Sequence, residues 1–398
     1  MVEEAPTDPA SAAAGAVDPD EVVSWARALI AAPSENPGGT EDEAAAVASG
    51  ILDTLGLEAR TIRSETGRPS LVAALGTGGR PTLAWNGHLD VVPAGDPSSW
   101  AHPPFGGTVV GDRLVGRGAA DMKGAVAAAF GAVAAIRRAG LELGGTLDLH
   151  LVADEELTGH QGTKVLRDRG LLDEDACLVG EPTDLRVGLA QRGGAWVTAV
   201  ATGRAAHGSQ PHLGVNAITS MARLLLRLPE ALPDREHPLV GRPTVNAAII
   251  AGGSAPNVVP DRCQVDIDRR IVPGESSPEQ VLGPFRRLAE AIRRDHPEVD
   301  LSFRIREWTD AAEGPADSLV ARLCREAIRE ETGESPDDVG LTGITDARFY
   351  LNDAKIPAVI LGPGSLSVAH TADEWVRIDD LVAAARIYAR VFVRFLGA

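Results

Sequence analysis

Three short apolar runs, each followed closely by acidic or histidine residues, constrain the fold more than any other feature of the chain. The run LAWN precedes His88 and Asp90, TLDLHLVA precedes Glu155 and Glu156, and ACLVG precedes Glu181. Continuous apolar runs of this length are typical of strands covered on both faces. Because the carboxyl ends of parallel strands meet at one edge of a sheet, these side chains are expected to lie close together.

Helical patterns separate these runs, over residues 123–139 and 162–169. Strand, ligand-type residue and helix therefore alternate three times, which is typical of an α/β fold. From about residue 317 a helix, a strand and a final helix return to the same pattern. We predict an α/β domain with a mostly parallel sheet flanked by helices.

The segment between these two parts has a different pattern. The runs AWVTAVATG, TVNAAIIAGG and RCQVDIDRRIV alternate like antiparallel strands, with helices expected over residues 215–228 and 278–294. We therefore predict an inserted α+β domain with an antiparallel sheet. The expected boundaries along the sequence are a disordered tail over 1–17, the α/β domain over 18–190 and 308–398, and the inserted domain over 191–307.

The net charge, the N-terminal segment and the cysteines indicate which partners and which compartment to expect. A formal net charge of −18 argues against nucleic acid or an anionic membrane surface, because both would be repelled. The acidic N-terminal segment lacks the basic and apolar regions of a signal peptide, and no window reaches about 18 uninterrupted apolar residues. Cys177, Cys263 and Cys324 have no CxxC spacing, so we expect reduced thiols in a cytoplasmic protein.

Candidate metal ligands collect at the predicted strand ends and in two further motifs. They are His88, Asp90, Asp121, Glu155, Glu156, Glu181 and His370. Each alone is typical of a solvated charge or a hydrogen-bonded structural histidine, but several at one sheet edge suit a two-metal zinc site. In an extended His-x-Asp segment the carboxylate can accept the imidazole N–H. Adjacent glutamates point different ways, so one can bind metal while the other acts as a general base.

At this point the chain resembles a known family of metallo-amidohydrolases and peptidases. The family includes acetylornithine deacetylase, succinyl-diaminopimelate desuccinylase, carboxypeptidase G and aminoacylase. The resemblance is carried, in the family's order, by GHLDVVP, WAHPPFGG, GRGAADMKG, ADEE, GEPTD, AAHGSQPHLGVNA, GGSAPNVVP, GITDARF and AHTADEW. It implies a zinc-exopeptidase-like catalytic domain, with the inserted domain acting as a lid and dimerisation domain.

The resemblance also implies which residues hold two Zn²⁺ ions. One ion is held by His88, Asp121 and Glu181, and the other by Asp121, Glu156 and His370. Asp121 is then the bridging ligand. Co²⁺ or Mn²⁺ accept the same ligands.

Two further roles near the metals follow from the resemblance. Glu155 is implied as the general base and Asp90 as the partner of the His88 imidazole. The peptide bond between Asp121 and Met122 is implied to be cis.

In the inserted domain the resemblance implies an oxyanion-stabilising histidine. His207 matches the histidine that reaches the active site of the partner subunit, where an electrophile stabilises a tetrahedral intermediate. His212 is a local competitor for this role. A homodimer is therefore expected.

Two positions in the inserted domain match residues that recognise the carboxylate of the substrate. They are Arg270 and Asn246, and a guanidinium is the natural bidentate partner of a carboxylate. Arg269 competes with Arg270, whose spacing to Pro273 fits the Arg-x-x-Pro pattern of the family. Asn246, like Asn257, also fits an ordinary turn or strand-end residue.

We expect a dimeric two-zinc hydrolase of amino-acid metabolism that cleaves the amide bond of an N-acyl amino acid or related small molecule. A metal-bridging water activated by Glu155 would attack the amide. RGAADMKG and VGEPTD are most similar to the desuccinylase branch, although the tail and the connection over 305–317 leave a specialised deacylase open. The second hypothesis is a dipeptidase or carboxypeptidase with the same groups, and the third is a catalytically silent relative that binds a small molecule.

Overall fold

The computed structural model describes residues 8–398, and this part of the chain forms two compact units. The first unit runs through Leu189 and includes Gly314–Val339 and Thr345–Ala398. The second unit comprises Ala190–Glu313 and Gly340–Ile344.

Helices and strands are numbered in chain order. The α-helices are α1 (Pro9–Gly15), α2 (Pro19–Ile30), α3 (Asp42–Thr54), α4 (Lys123–Arg138), α5 (Thr163–Asp168), α6 (Ala217–Leu226), α7 (Pro278–Asp295), α8 (Leu319–Thr332) and α9 (Ile378–Leu396). The strands are β1 (Arg60–Arg63), β2 (Pro69–Gly76), β3 (Thr82–His88), β4 (Thr108–Val110), β5 (Arg113–Val115), β6 (Thr146–Val152), β7 (Ala176–Val179), β8 (Gly188–Gln191), β9 (Gly193–Thr202), β10 (Thr244–Gly252), β11 (Arg262–Ile271), β12 (Asp300–Thr309), β13 (Ala312–Glu313), β14 (Val339–Leu341), β15 (Ala358–Ile360) and β16 (Trp375–Arg377). Short 3₁₀ helices cover Pro97–Ser99, Pro211–Leu213 and Leu228–Ala231, and a π-helix covers Phe349–Ala354.

The main sheet of the first unit is parallel at its centre and antiparallel at its margins. Its strand order is β1-β2-β6-β3-β7-β15-β8. The pairs β6–β3, β3–β7 and β7–β15 are parallel, whereas β1–β2, β2–β6 and β15–β8 are antiparallel. The predicted α/β class is confirmed, and the parallel centre brings the ends of β3, β6 and β7 to one edge.

Alanine-rich α4 packs closely against its neighbours because its side chains are small. Helices α2 and α9 and strand β3 all contact it. At Gly131 an added Cβ would lie 2.5 Å from Val22 Cγ2 and 3.4 Å from Ala385 Cβ, so a larger residue would force these helices apart. This packing fixes the start of α4, which begins two residues after Asp121.

The predicted tail needs correction. Residues 1–7 lie outside the described part of the chain, but Pro9–Gly15 forms α1 rather than a disordered segment. Asp8 caps this helix by accepting the backbone N–H of Ser11 at 3.3 Å. Ala10 and Ala13 are fully buried, and α1 contacts α9, so an alanine face is what orders this segment.

The second unit is built on a four-stranded antiparallel sheet of order β10-β11-β9-β12. Helices α6 and α7 share a hydrophobic core with this sheet that includes Val197, Met221, Phe285 and Ile267. Strand β10 lies at the edge of the sheet, and most of its residues are exposed. The unit has the antiparallel α+β organisation expected for the inserted segment.

The limits of the second unit differ from the expected boundaries at 191 and 307. Residue 307 lies inside β12, which continues the sheet to Thr309. The unit then continues to Glu313 because β13 pairs with the end of β8. Residues 340–344 also belong to it, since the backbone N–H of Arg192 donates to the carbonyl of Leu341 at 3.0 Å.

Among residues 8–398, every helix is too short or too polar to span a bilayer.

Candidate metal centre

Six of the predicted site residues lie together at the carboxyl edge of the parallel strands. They are His88, Asp121, Glu155, Glu156, Glu181 and His370. His88 is the last residue of β3, the two adjacent glutamates follow β6, and Glu181 follows β7. Asp121 lies two residues before the start of α4, and His370 lies in the segment before β16. The topology predicted from the apolar runs therefore accounts for four of the six positions.

The carboxylate of Asp121 lies between the two histidines. Its Oδ1 is 3.1 Å from His88 Nε2, and its Oδ2 is 3.3 Å from His370 Nε2. Glu156 Oε2 lies 3.0 Å from the same His370 nitrogen, while Glu181 Oε1 lies 3.7 Å from His88 Nε2. Each oxygen of one carboxylate thus faces a different histidine, as a bridging ligand requires. The peptide bond after Asp121 is cis, as the resemblance implies.

Two overlapping groups of side chains have the spacing of a metal site. Within each group the ligand atoms lie within 4.8 Å of one another, in the sets His88, Asp121, Glu156 and His88, Glu155, Glu181. Geometry alone therefore also admits Glu155 as a ligand, at 3.8 Å between its Oε2 and His88 Nε2. Imidazole nitrogens and carboxylate oxygens suit Zn²⁺, Co²⁺ and Mn²⁺, so the residues present fit a pair of such ions.

The electrostatics of the cluster favour bound cations. Burial raises the pKa of both Glu155 and Glu181 well above the usual range. Burial alone would also raise the pKa of Asp121, but hydrogen bonds with His370 and His88 lower it instead. Hydrogen bonds with Asp121 and Glu156 raise the pKa of His370 to about 10. The buried carboxylates thus draw positive charge into the site, which is the electrostatic condition for holding divalent ions.

Asp90 orients His88 in a different way from the one expected. His88 Nδ1 lies 2.9 Å from the backbone carbonyl of Asp90 and 3.6 Å from its carboxylate. Since a carbonyl only accepts, Nδ1 carries the proton and Nε2 is left to face the other ligands. The Asp90 carboxylate instead accepts the backbone N–H groups of Glu155 at 3.2 Å and Glu156 at 3.1 Å. Asp90 therefore holds both the imidazole and the loop after β6.

Glu374 was not among the predicted site residues, although it lies in the same AHTADEW motif as the second histidine. It is fully buried, and its Oε1 accepts the backbone N–H groups of Gly118, Ala120 and Asp121 at 3.1, 2.9 and 3.0 Å. Its Oε2 pairs with Arg117 at 2.5 Å. Glu374 thus fixes the loop that presents Asp121, and an acid within a ligand-bearing motif was the signal for it.

His207 lies in the second unit and is exposed. Its Nδ1 lies 2.7 Å from Ser209 Oγ, and its backbone pairs with that of Val258. The backbone N–H of Ser209 also donates to this Nδ1, at 3.2 Å. His212, the competing histidine, is also exposed, on the short helix Pro211–Leu213.

Burial distinguishes the two neighbouring arginines of β11. Arg269 is buried and pairs with Glu275 at 2.5 Å, so its guanidinium belongs to the interior of the second unit. Arg270 is partly exposed, and its Nε donates to Asp268 at 3.1 Å. Asn246 lies on β10 opposite Asp268 and is exposed. Of the two arginines, only Arg270 has a side chain that a solute can reach.

The first unit is an α/β fold whose sheet is parallel at its centre, and two imidazoles and four carboxylates lie together at one edge of that sheet. This combination of fold and site is that of a metal-dependent hydrolase. Comparison with known proteins identifies the protein family. The model of the peptidase family M20/M25/M40 matches residues 84–394, and the chain belongs to this family. The prediction of a metallopeptidase-family amidohydrolase is thereby confirmed.

Similar sequences include desuccinylases. The succinyl-diaminopimelate desuccinylase of Paracoccus denitrificans is 33% identical over 374 residues, covering 90% of this chain and 95% of that protein. A probable succinyl-diaminopimelate desuccinylase of Staphylococcus epidermidis is 28% identical over 375 residues, covering 87% of this chain and 91% of the relative.

Similar solved structures include peptidases of low sequence identity, and they support the fold alone. The aminopeptidase PepT of Bacillus cereus has a TM-score of 0.76 at 21% identity, and the superposition covers 95% of this chain and 99% of the PepT chain. Human carnosine dipeptidase 1 has a TM-score of 0.75 at 18% identity, and the superposition covers 99% of this chain and 100% of the dipeptidase chain. A dinuclear metal binding peptidase of Bacillus subtilis has a TM-score of 0.73 at 17% identity, with 95% and 98% covered.

Proposed function

We propose that this amidohydrolase uses two divalent metal ions to cleave N-acyl amino acids, with N-succinyl compounds as the first class to test. The observation that carries the proposal is the Asp121 carboxylate, whose two oxygens face His88 and His370 separately. The similarity to desuccinylases supports the N-succinyl class.

Five side chains would hold the two ions, with Zn²⁺ as the proposed metal and Co²⁺ or Mn²⁺ as substitutes. His88, Asp121 and Glu181 would hold one ion, and Asp121, Glu156 and His370 the other. When bound, such ions polarise the scissile carbonyl and lower the pKa of a water molecule. Asp90 and Glu374 keep the ligand-bearing loops in place through the backbone N–H groups that they accept.

Glu155 is proposed as the general base rather than as a ligand. Each proposed ion already has three protein ligands without it. The Asp90 carboxylate accepts the backbone N–H of Glu155. The carboxylate of Glu155 lies on the same side of the loop as the ligands, with its Oε2 3.8 Å from His88 Nε2. From there it would take the proton of the attacking water and then return it to the leaving amine.

The second unit would supply the contacts that recognise the substrate. Arg270 would bind the carboxylate of the amino acid, and Asn246 would donate a further hydrogen bond. The partial exposure of Arg270 supports this assignment. His207 would stabilise the oxyanion in the site of a partner subunit.

A homodimer through the inserted domain is part of the proposal. Edge strand β10 exposes Ile249 and Ile250 at 63% and 57%. An exposed apolar edge strand is prone to pair with another chain, and a second copy of β10 would cover it. We also propose that the protein is cytoplasmic, which is supported by three free, buried cysteines and by the similarity to desuccinylases.

A dipeptidase activity is the second candidate function, because a dipeptidase and an aminopeptidase share the fold. Turnover of N-succinyl, N-acetyl, N-formyl and aminoacyl substrates by the Zn²⁺-loaded protein separates the two. The proposal expects an N-acyl amino acid to give the highest kcat/KM, whereas preference for dipeptides would favour the second candidate. If the protein bound no divalent ion and hydrolysed no amide after metal was restored, the catalytically silent alternative would be correct.

A further inference from the structure

A buried amide lies between two carboxylates next to the metal centre. Asn36, in the turn after α2, is 1% exposed. Its Nδ2 donates to Asp90 Oδ2 at 2.9 Å and to Asp154 Oδ1 at 3.1 Å. Its Oδ1 accepts from Arg68 Nη1 at 2.9 Å. All three polar positions of the amide face a charged partner, so the side chain has one orientation.

Arg68 is itself held in place by a second buried carboxylate. Its Nε lies 3.0 Å from both oxygens of Glu41, which is fully buried. A guanidinium only donates, so the oxygen of Asn36 must face Arg68 and the NH₂ group must face the carboxylates. Glu41 Oε1 also accepts the backbone N–H of Asp154 at 3.3 Å.

The two carboxylates that Asn36 joins hold both ends of one loop. Asp90 accepts the N–H groups of Glu155 and Glu156, as described above. Asp154 Oδ2 accepts the N–H of Gln161 at 3.0 Å. The segment between these contacts carries the proposed base and one proposed ligand. A change in the position of either carboxylate would therefore move the atoms that carry out the reaction.

We propose that Asn36 is a positioning residue for hydrolysis, because its amide sets the orientation of Asp90 and Asp154 and, through them, of the Glu155 and Glu156 backbone. This inference rests on the function proposed above for these two glutamates. An aspartate at this position would place a third carboxylate against the other two and could not donate. A leucine would keep the approximate size but leave both carboxylates short of one donor.

The first experiment compares Asn36→Leu and Asn36→Asp with the unmodified Zn²⁺-loaded protein. Loss of an outer-sphere partner lowers activity or metal affinity by about 10- to 100-fold. We expect kcat to fall by about this factor while KM stays within about twofold, because the substrate contacts are elsewhere. Asn36→Ala, which leaves room for water between the carboxylates, replaces Asn36→Leu if that variant does not fold.

A matched control separates positioning from general stability. Tyr388→Phe removes one buried hydrogen bond in the same unit, from the phenol to the carbonyl of Leu361 at 2.7 Å. It should lower the melting temperature but leave kcat unchanged. In an Asp90→Asn background, Asn36→Leu should lower kcat by a smaller factor than it does alone, because part of its effect passes through that carboxylate. Full additivity in this cycle, or an equal loss of kcat in Tyr388→Phe, would show a merely structural role.

A second readout does not depend on turnover. Calorimetric titration with Zn²⁺ should show weaker binding in Asn36→Leu by about 10-fold, since the loop carries Glu156. If the unmodified protein is active and the Asn36 variants match it in kcat and Zn²⁺ affinity, the inference alone is wrong. If the unmodified protein binds Zn²⁺ tightly but hydrolyses nothing, the proposed function fails while the Zn²⁺ affinity still tests Asn36. Absence of both activity and Zn²⁺ binding overturns both proposals.

Discussion

Buried carboxylates in this protein differ in what they bind, although they are chemically alike. Asp121 faces two imidazoles, whereas Asp90 and Glu374 accept backbone N–H groups and leave the ligand positions to others. Glu155 and Glu156 are neighbours in sequence, yet only Glu156 contacts His370. The role of each acid therefore depends on the direction of its oxygens.

Glu155→Gln tests the assignment of the base. The amide keeps the size of the side chain but cannot take a proton, so kcat should fall by about 10²- to 10⁴-fold. Metal content should stay at two ions per chain, because the ligands proposed for them do not include this residue. Kinetics and elemental analysis on the same preparation measure both quantities. Exposed Glu142→Gln is the control, and loss of one metal ion would identify Glu155 as a ligand.

Elements distant in sequence are tied together by single side chains around the metal centre. Glu374, just before β16, binds the loop that precedes α4. His150 on β6 contacts Glu174, which precedes β7, at 3.3 Å, and its Nδ1 lies 2.7 Å from the Tyr350 hydroxyl. The His150 contacts join segments whose backbones are not paired with each other, whereas the Glu374 side chain reinforces a place where its own carbonyl already accepts the N–H of Gly116 at 2.8 Å.

Glu374→Gln should loosen the loop before α4. The variant keeps the size of the side chain but loses the charge that pairs with Arg117 and strengthens three N–H bonds. We expect the free energy of unfolding to fall by about 1–3 kcal/mol and Zn²⁺ affinity to fall by about 10- to 100-fold. Urea unfolding and calorimetric titration provide the measurements. Exposed Glu58→Gln is the control, and unchanged Zn²⁺ affinity in Glu374→Gln would contradict this role.

Glu174 makes the stability of the first unit depend on pH. Burial raises its pKa to about 8, so the folded state holds a proton that the unfolded state releases above about 4.5. The stabilising contribution is complete below the unfolded pKa and is lost as pH rises through the folded pKa. Between pH 7.0 and 8.5 the unmodified protein should lose about 1 kcal/mol more stability than Glu174→Gln.

Urea unfolding of both proteins at the two pH values measures this difference. The neighbouring His150 does not obscure it, because burial lowers the pKa of that imidazole to about 4, and the unfolded side chain is mostly neutral above pH 7. Equal pH dependence in the two proteins would show that Glu174 is already ionised when folded.

For the molecule as a whole, the exposed apolar edge of the second unit is the feature that bears on assembly. Ile250 lies on edge strand β10 and is 57% exposed. If a second copy covers this strand, Ile250→Lys should convert the dimer to a monomer, because a charge would be buried there without a partner. Light scattering after gel filtration measures the mass.

The same variant tests the proposed contribution of His207 from the partner subunit. Its kcat should fall together with the dimer fraction. Leu319→Lys, at an exposed apolar position in the first unit, is the control and should leave both unchanged. A monomeric protein before any substitution, or a monomeric variant with full kcat, would contradict the dimer proposal.

The central sheet and most of the site were predictable because local patterns determine them. An apolar run ending at His88 or Glu181 marks a strand and its end, and parallel strands bring their ends together. The other contacts depend on tertiary folding. The Asp90 carboxylate binds a loop more than sixty residues away, and Glu374 binds one more than two hundred and fifty residues away, so neither pairing has a local signal.

The errors at the domain limits have the same origin. The segment that forms helix α1 was predicted as tail because it is acidic at its start and has no long apolar run, but its burial against α4 and α9 orders it. The return of residues 340–344 to the second unit depends on pairing with a segment near Arg192. Short segments stabilised by distant partners are the ones that the sequence does not reveal.

The position of His370 after the inserted domain has a consequence for how the protein matures. The other four proposed ligands all precede the inserted domain in the chain. Since a ribosome makes the chain from its N-terminus, a nascent chain can present His88, Asp121 and Glu181 long before the last ligand exists. The ligands of the first proposed ion are thus made before the inserted domain, whereas those of the second are complete only once His370 has been added. A chain that ends before His370 would therefore lack one of the five proposed ligands.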